Sequence, residues 1–269
     1  MAFRAQNYCV YPYCFIFYTS LLFAGRAHGN TFLYLDYFCV TSPHLLFFFV
    51  LLGCVVIADS YFIGKAVKQL NEQCDPHPLL ETVEQQLARV QSKAYRQSLQ
   101  INKAAALSNL GWFDEAFSIL SGINIDQYNG TRPITKIVYY NNMASAFINK
   151  GDYSQADICY SKMIQMMYSF KANEEQKKQL SWMSTLIRAE LLIGGNHFAE
   201  AENLLCELSE SMPIKDRIAK YMSYAKLMIK QNRPEEARPF LHYVIAYGNK
   251  LYAVVRAQEM LSRLNDIKK

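Results

Sequence analysis

The sequence predicts an all-α protein in which an N-terminal transmembrane helix or helical hairpin precedes an α-solenoid of about four helix pairs and a C-terminal capping helix. Three observations predict it. Residues 1–63 carry only four charged side chains and include one long apolar run. From Leu79 onward, apolar residues recur every three or four positions, as in amphipathic helices. A short word with two alanines twelve residues apart occurs four times, which is typical of repeat proteins.

The strongest apolar run covers residues 45–63 and reads LLFFFVLLGCVVIADSYFI. About 20 helical residues, each rising roughly 1.5 Å, span a hydrocarbon core of about 30 Å. The only charge in the run, Asp59, lies near one end, beside aromatic residues that suit the membrane interface. Pro43 precedes the run, at a position where a helix can begin. We therefore predict a transmembrane helix over 43–63, within a membrane segment over 1–66.

A second apolar stretch covers residues 8–25 and leaves three interpretations open. It is shorter than the first and contains Pro12. It fits a first transmembrane helix that forms a hairpin with the second. It also fits a secretory signal peptide, because Arg4 precedes it and small residues such as Ala24 end it. The third interpretation is an interfacial leader. We favour the hairpin because the cleavage signal is weak.

Basic residues predict the orientation of the membrane segment. Lys65 and Lys68 directly follow the strong span, whereas the preceding loop offers only Arg26, opposed by Asp36. Since lysine and arginine accumulate on the cytoplasmic side, we predict an integral cell-membrane protein whose repeat domain faces the cytoplasm. Asp36 and Asp59 lie in a loop and near the interface rather than in mid-membrane, which disfavours a transport role.

The seven cysteines are an odd number, and no two of them form a C-x-x-C motif. Cys159 and Cys206 fall inside helical patterns among apolar neighbours. This distribution predicts buried free thiols rather than a disulfide framework or a zinc site. It also favours a reducing compartment.

The repeated word consists of an alanine in one helix, a glycine or asparagine in the turn, a bulky residue two positions later, and an alanine in the next helix. The alanine pairs are Ala104 and Ala116, Ala144 and Ala156, Ala189 and Ala201, and Ala225 and Ala237. The turn and bulky residues are Gly111 and Phe113, Gly151 and Tyr153, Asn196 and Phe198, and Asn232 and Pro234. Antiparallel helices approach closely only where side chains are small. Glycine and asparagine accept the left-handed backbone that ends a helix, so each word predicts one helix pair.

The four copies of the repeated word determine the limits of the predicted helix pairs and domains. We predict helix pairs over 97–124, 137–168, 182–213 and 218–247, followed by a capping helix over 251–264. These elements belong to a repeat domain over 79–269, and a proline-containing linker over 67–78 joins it to the membrane segment.

The small–aromatic–alanine order resembles the tetratricopeptide repeat (TPR) family, most closely in 97–124 and 137–168. The likeness covers residues 97–247. The chain departs from the family in lacking the tryptophan near the start of the first helix, and Asn196 and Asn232 replace the glycine of the turn. The layout of an anchor followed by repeats is also similar to bacterial membrane-anchored TPR proteins, a likeness that implies no activity.

The resemblance implies a function in binding a protein or peptide partner along the concave face that the first helices form. The corresponding positions are Ile101, Ala105, Asn109, Asn141, Ser145, Asn149, Glu190, Met222, Lys226 and Lys230. The asparagines suit hydrogen bonds to an extended peptide backbone. One subclass of the family clamps a C-terminal carboxylate with a lysine, but Ile101 and Ala105 stand where that lysine belongs.

Other functions find little support in the sequence. It contains no phosphate-binding loop, no H-E-x-x-H and no G-x-S-x-G, so we predict no enzyme, no cofactor and no metal. The net charge is +5 without a basic stripe, so we predict no nucleic-acid binding. The prediction is a membrane-anchored scaffold or adaptor. The alternative is a non-catalytic subunit or regulator of a membrane enzyme or transport complex.

Overall fold

A computed structural model of the chain describes residues 61–127 and 131–266. The described residues form eleven α-helices and no strand. The first, α1, covers 61–73 within the described part. The other ten are α2 His77–Leu87, α3 Lys93–Leu110, α4 Phe113–Ser121, α5 Pro133–Lys150, α6 Tyr153–Ser169, α7 Glu174–Gly194, α8 Phe198–Glu207, α9 Ile214–Lys230, α10 Pro234–Tyr247 and α11 Tyr252–Asp266.

The chain divides into two compact units, Met1–Lys65 and Ala66–Lys269. Only 61–65 of the first unit are described, and the exposed rings of Tyr61 and Phe62 meet there edge to face. The predicted span 8–25 and most of the span 43–63 lie outside the described residues. Within the part of the chain that is described, no helix has both the length and the apolar character that crossing a membrane requires.

The second unit is built from antiparallel helix pairs. In order, α3 packs on α4, α5 on α6, α7 on α8 and α9 on α10. The first helix of each pair also contacts the first helix of the next pair. We call the stack of α3, α5, α7 and α9 the first-helix layer. The described part of the fold is therefore all-helical and solenoid-like, and a hydrophobic core runs through its α3 to α7 portion.

The alanines of the repeated word lie where paired helices come closest. All eight are completely buried: Ala104, Ala116, Ala144, Ala156, Ala189, Ala201, Ala225 and Ala237. Each first helix ends at a residue with left-handed backbone, namely Gly111 (φ 88°), Gly151 (φ 76°), Asn196 (φ 63°) and Asn232 (φ 60°). The left-handed residue turns the chain, and the small side chains let the next helix pack back against the one before it.

Most of the residues 67–78, predicted as a linker, are helical. Helix α1 continues to residue 73, and α2 begins at His77. Between them Cys74 has a φ of 55°, the left-handed conformation of the other four turns. Val67 and Leu79 stand seven positions before and five after it, at the spacing that the alanines have elsewhere. The segment is therefore a fifth helix–turn–helix with the same turn conformation, although Val67 and Leu79 are larger than the alanines of the other four.

The helix α7 begins well before residue 182, where the third pair is predicted to start. The Asn173 carboxamide accepts a hydrogen bond from the Gln176 backbone N–H at 2.9 Å, and Gln176 Oε1 accepts one from the Asn173 N–H at 3.1 Å. This capping box supplies partners for two backbone N–H groups at the start of the helix. It therefore places the helix start at Glu174.

The two ends of the second unit meet at an end clasp, formed by the turn 73–75 and residues 249–250. Asn249 Nδ2 donates to the Gln73 carbonyl at 2.7 Å, and the Lys250 N–H donates to the Cys74 carbonyl at 3.2 Å. Lys250 Nζ lies 2.7 Å from Asp75 Oδ2. In an open solenoid each repeat contacts only its neighbours, so the end clasp adds a long-range closure to this array.

Helix α11 makes a second long-range contact, with the turn between α3 and α4. The Tyr252 ring meets the Phe113 ring edge to face, with centroids 5.3 Å apart. It also covers Gly111 so closely that a Cβ on that glycine would lie 2.4 Å from Tyr252 Cδ2. The predicted capping helix therefore contacts the first predicted pair as well as the last one.

Candidate partner-binding face

The predicted binding residues lie on the four helices of the first-helix layer. On α3, α5 and α9 they are spaced by four, which places them along one side of each helix. They are Ile101, Ala105 and Asn109 on α3, Asn141, Ser145 and Asn149 on α5, Glu190 on α7, and Met222, Lys226 and Lys230 on α9. The structure brings them into one layer, but their surroundings differ.

Two of the predicted binding residues belong to the interior. Ile101 is 1% exposed and Met222 is 7% exposed, so neither side chain can contact a partner. Helix α2 packs against α3, and its Leu80 joins the same hydrophobic core as Ile101. The sequence prediction placed Ile101 at an open position because it missed the helix pair that precedes α3.

Glu190 forms a charged junction between α7 and α9. Lys226 Nζ lies 2.9 Å from both carboxylate oxygens, and Ser223 Oγ donates to Oε1 at 2.5 Å. Lys230 Nζ donates to the Ile193 carbonyl at 3.0 Å. Burial alone would raise the pKa of Glu190, but the neighbouring Lys226 and the Ser223 hydrogen bond outweigh it and hold the pKa below its usual value. The predicted charged residues therefore fasten two helices together.

Asn141 and Asn142 form an amide pair at the middle of α5. Asn141 Nδ2 donates to Asn142 Oδ1 at 3.3 Å. The other two amide atoms, Asn141 Oδ1 and Asn142 Nδ2, are buried and have no hydrogen-bond partner among the described residues. A buried polar group without a partner costs about 1–3 kcal/mol. The amide pair thus offers one free acceptor and one free donor, the complement of a peptide N–H and C=O.

The remaining predicted positions on α3 and α5 are small or polar residues. Ser145 is half-buried one turn further along α5, and Asn149 is exposed near the end of that helix. On α3, Asn109 Nδ2 donates to the Ala105 carbonyl at 2.8 Å within its own helix. The exposed predicted positions are Asn149 on α5 and Lys230 on α9.

The sequence prediction missed a buried lysine in the fourth pair. Lys220 is almost fully buried, and its Nζ donates to the Leu208 carbonyl at 2.8 Å and to Glu210 Oε1 at 2.6 Å. Tyr221 donates its hydroxyl to the other oxygen of Glu210 at 2.9 Å. The hydrogen bond from Lys220 is the main reason why the pKa of Glu210 is lowered. No local signal marked this lysine, because Asp216, Arg217 and Ser223 lie on the same side of the helix.

The cysteines and other possible metal ligands form no site in the described residues. Cys74 and Cys159 are buried free thiols, whereas Cys206 is exposed, contrary to the sequence prediction. Burial raises the pKa of Cys74 to about 11, so its thiol stays protonated at neutral pH. Across the described ranges, no three His, Cys, Asp or Glu side chains converge to hold a metal ion.

Comparison with known proteins finds one family. A family model described as the SusR N-terminal TPR domain matches residues 80–257, about two-thirds of the chain. The match begins in α2 and ends in α11, so it includes all four pairs that the alanine word predicts. No curated protein and no solved structure matches the chain significantly.

Proposed function

This chain belongs to the SusR N-terminal TPR domain family, and from that premise we propose that it is a scaffold that binds a protein partner through an extended segment laid across its first-helix layer. Family membership confirms the resemblance that the alanine words predict. We assign the protein no reaction, no cofactor and no metal.

The amide pair is the observation that carries this proposal. Asn141 Oδ1 lacks a donor and Asn142 Nδ2 lacks an acceptor. A peptide group of a bound segment supplies an N–H and a C=O, and since both free amide atoms are buried, the carboxamides must rotate outward to meet them. Satisfying both atoms recovers a desolvation cost of about 1–3 kcal/mol each. This gain depends on the backbone of the partner and is independent of its side chains.

The junction at Glu190 supports the same proposal. Because Lys226 and Ser223 both bond to the Glu190 carboxylate, α7 is fastened to α9 beside the helix that carries the amide pair. A surface that is rigid before binding loses less conformational entropy when a partner docks. The network therefore favours a preformed face over one that orders only on binding.

The test is affinity capture with the full chain as bait. Asn141 and Asn142 are replaced together by alanine, and the matched control is Asn203→Ala, an exposed asparagine on α8. We expect quantitative mass spectrometry to find proteins that the unaltered chain and the Asn203→Ala control retain and the double variant loses. An identical set of captured proteins for all three baits contradicts the proposal.

We further propose that the segment over 1–66 anchors this scaffold at the cytoplasmic face of the cell membrane. The apolar run 45–63 and the lysines after it support this orientation. Labelling with a membrane-impermeant thiol reagent tests it at Cys206, which is exposed, whereas Cys74 is buried and unsuitable. Modification of Cys206 in intact cells contradicts the cytoplasmic orientation.

The alternative function is a non-catalytic subunit or regulator of a membrane enzyme or transport complex. The same apolar run favours it, because a membrane helix can pair with the helices of another membrane protein. Affinity capture with the full chain and with residues 61–269, which keep the described part of α1, separates the two functions. If 61–269 retains every partner, the apolar segment is an anchor; if partners are lost, the alternative is favoured.

A further inference from the structure

Helix α6 is much longer than the corresponding helices of the neighbouring pairs. It has 17 residues, against 9 in α4 and 10 in α8, although all three begin three residues before the second alanine of their word. At about 1.5 Å per residue, its C-terminal turns extend roughly 10 Å further than either neighbour. These turns therefore reach a part of the molecule where the adjacent pairs supply no second helix.

The end of α6 and the start of α7 line an open cavity of about 460 Å³, whose lining is mostly apolar and also includes Lys177, Ser181 and Ser184. We define the α6 end surface by its apolar lining residues: Ile164, Met167, Tyr168, Phe170, Ala172 and Leu180. Tyr168 is 89% exposed. A single exposed aromatic is common, but here it borders a cavity whose other apolar residues lie in or pack against the hydrophobic core. The flexible, polarizable side chain of Met167 suits a surface that adapts to its ligand.

The charges around the α6 end surface are mostly positive. Residues 162–184 contain four lysines and two glutamates. Glu174 lies 2.7 Å from Lys177, so these two charges offset each other, whereas Glu175 accepts from the neutral Gln179 at 2.9 Å and keeps its negative charge. Lys171 is exposed between two residues of the surface and pairs with no carboxylate among the described residues. The charge that remains attracts an acidic ligand.

We propose that the α6 end surface docks an acidic amphipathic helix of a partner protein. Apolar side chains at i, i+3, i+4 and i+7 of such a helix enter the cavity, and its acidic residues face the lysines. Membrane-surface binding needs a long exposed apolar helix face, whereas here the apolar residues surround a cavity between two helices. This surface is separate from the amide pair and adds a second site to the scaffold.

Two 15-residue helical peptides test the proposal with the full chain. They share Leu and Phe at i, i+3, i+4 and i+7, and the polar face is Glu in one peptide and Lys in the other. Fluorescence anisotropy should show about tenfold or greater preference for the Glu peptide, which declines with salt as the charges are screened. Equal binding of the two peptides, or none, overturns the proposal.

Variants assign the binding to this surface. Tyr168→Ser should lower the affinity for the Glu peptide by about fivefold or more, as expected for a central aromatic contact. Ile158→Ser is the matched control, because Ile158 is exposed on the same helix outside the surface, and it should leave binding unchanged. Lys171→Glu should reduce the preference for the Glu peptide. Equal binding by the Tyr168→Ser and control variants overturns the proposal.

The same experiments show whether the α6 end surface instead binds a lipid or a second copy of the chain. If anionic phosphatidylglycerol vesicles compete fully with the Glu peptide and bind more tightly, the surface belongs to a lipid and the proposal fails. If sedimentation shows a dimer that Tyr168→Ser dissociates, the surface belongs to a second copy of the chain. Replacing Asn141 and Asn142 by alanine should not alter peptide binding, so failure here is distinguishable from failure of the amide-pair proposal.

Discussion

Comparing Gly111→Ala with Gly151→Ala distinguishes two effects on stability: the local strain at the end of a helix, and the contact between α11 and the turn at Gly111. Both glycines end a first helix with left-handed backbone, at φ values of 88° and 76°. A Cβ on Gly151 meets nothing within 4 Å, whereas on Gly111 it lies 2.4 Å from Tyr252 Cδ2 and 2.6 Å from Cγ. The two substitutions therefore share the backbone cost and differ in the overlap with Tyr252.

The expected losses in free energy of unfolding follow from these contacts. Left-handed backbone costs a residue with a Cβ roughly 1–2 kcal/mol, so Gly151→Ala should lose about that much. Overpacking adds about 1–3 kcal/mol, so Gly111→Ala should lose about 2–5 kcal/mol. Urea unfolding of the full chain, followed by circular dichroism, measures both losses.

A third variant tests the origin of the difference. In a Gly111→Ala chain that also carries Tyr252→Ala, the overlap is gone and only the backbone cost remains. The coupling between the two substitutions should then be about 1–3 kcal/mol, measured as a double-mutant cycle. Equal losses for Gly111→Ala and Gly151→Ala, with no coupling to Tyr252, would refute the contact between α11 and the first predicted turn.

Three further predictions follow from the end clasp, the α7–α9 junction and the amide pair. Lys250→Ala should lower the unfolding free energy by only about 0.2–1 kcal/mol, because the ion pair of Lys250 is partly exposed. The same variant should speed the modification of the buried Cys74 by iodoacetamide, because the end clasp is weakened. An unchanged modification rate contradicts the end clasp. The pKa of Glu190 is lowered in the folded protein. The ionised Glu190 therefore stabilises the fold fully above about pH 4.3, which is the pKa of glutamate in the unfolded chain. This stabilisation is lost as the pH falls through the pKa of the folded state. The stability difference between the unaltered chain and Glu190→Gln, from urea midpoints, should therefore shrink from pH 7 to pH 3; a constant difference contradicts it. Replacing Asn141 and Asn142 by alanine should not lower stability, since one hydrogen bond of about 0.5–1.5 kcal/mol is lost while two unpaired buried atoms, costing about 1–3 kcal/mol each, are removed. A large loss by thermal unfolding would mean that the pair is already satisfied.

The end clasp has a consequence for how the array unfolds. In an open solenoid the stability is approximately a sum over neighbouring repeats, and unfolding can begin at either end. Here the turn at Cys74 and residues 249–250 hold each other through two hydrogen bonds and an ion pair. Loosening one end therefore loosens the other, and we expect more cooperative unfolding than in an open array of the same length.

The surroundings of the predicted binding residues were only partly predictable. Position within the repeat correctly placed Asn141 and Glu190 on the first-helix layer, because spacing along a helix determines which side a residue occupies. It did not predict that Ile101 is covered, since that depends on a preceding helix pair. It also did not predict that Lys226 is engaged by Glu190, because residues far apart in sequence meet only when α7 packs on α9.

The sequence by itself determined the four helix pairs, because their signals are short-range: an alanine where two helices touch, and a glycine or asparagine where the chain turns. The fifth turn was decided by tertiary structure. Cys74 carries a Cβ and disfavours left-handed backbone, so its residue type does not predict the turn, and the prolines that follow it indicate only a break in the helix. Its side chain is buried, and its carbonyl accepts the Lys250 N–H from the far end of the array. Those long-range contacts offset the local strain, and no pattern within one repeat can reveal them.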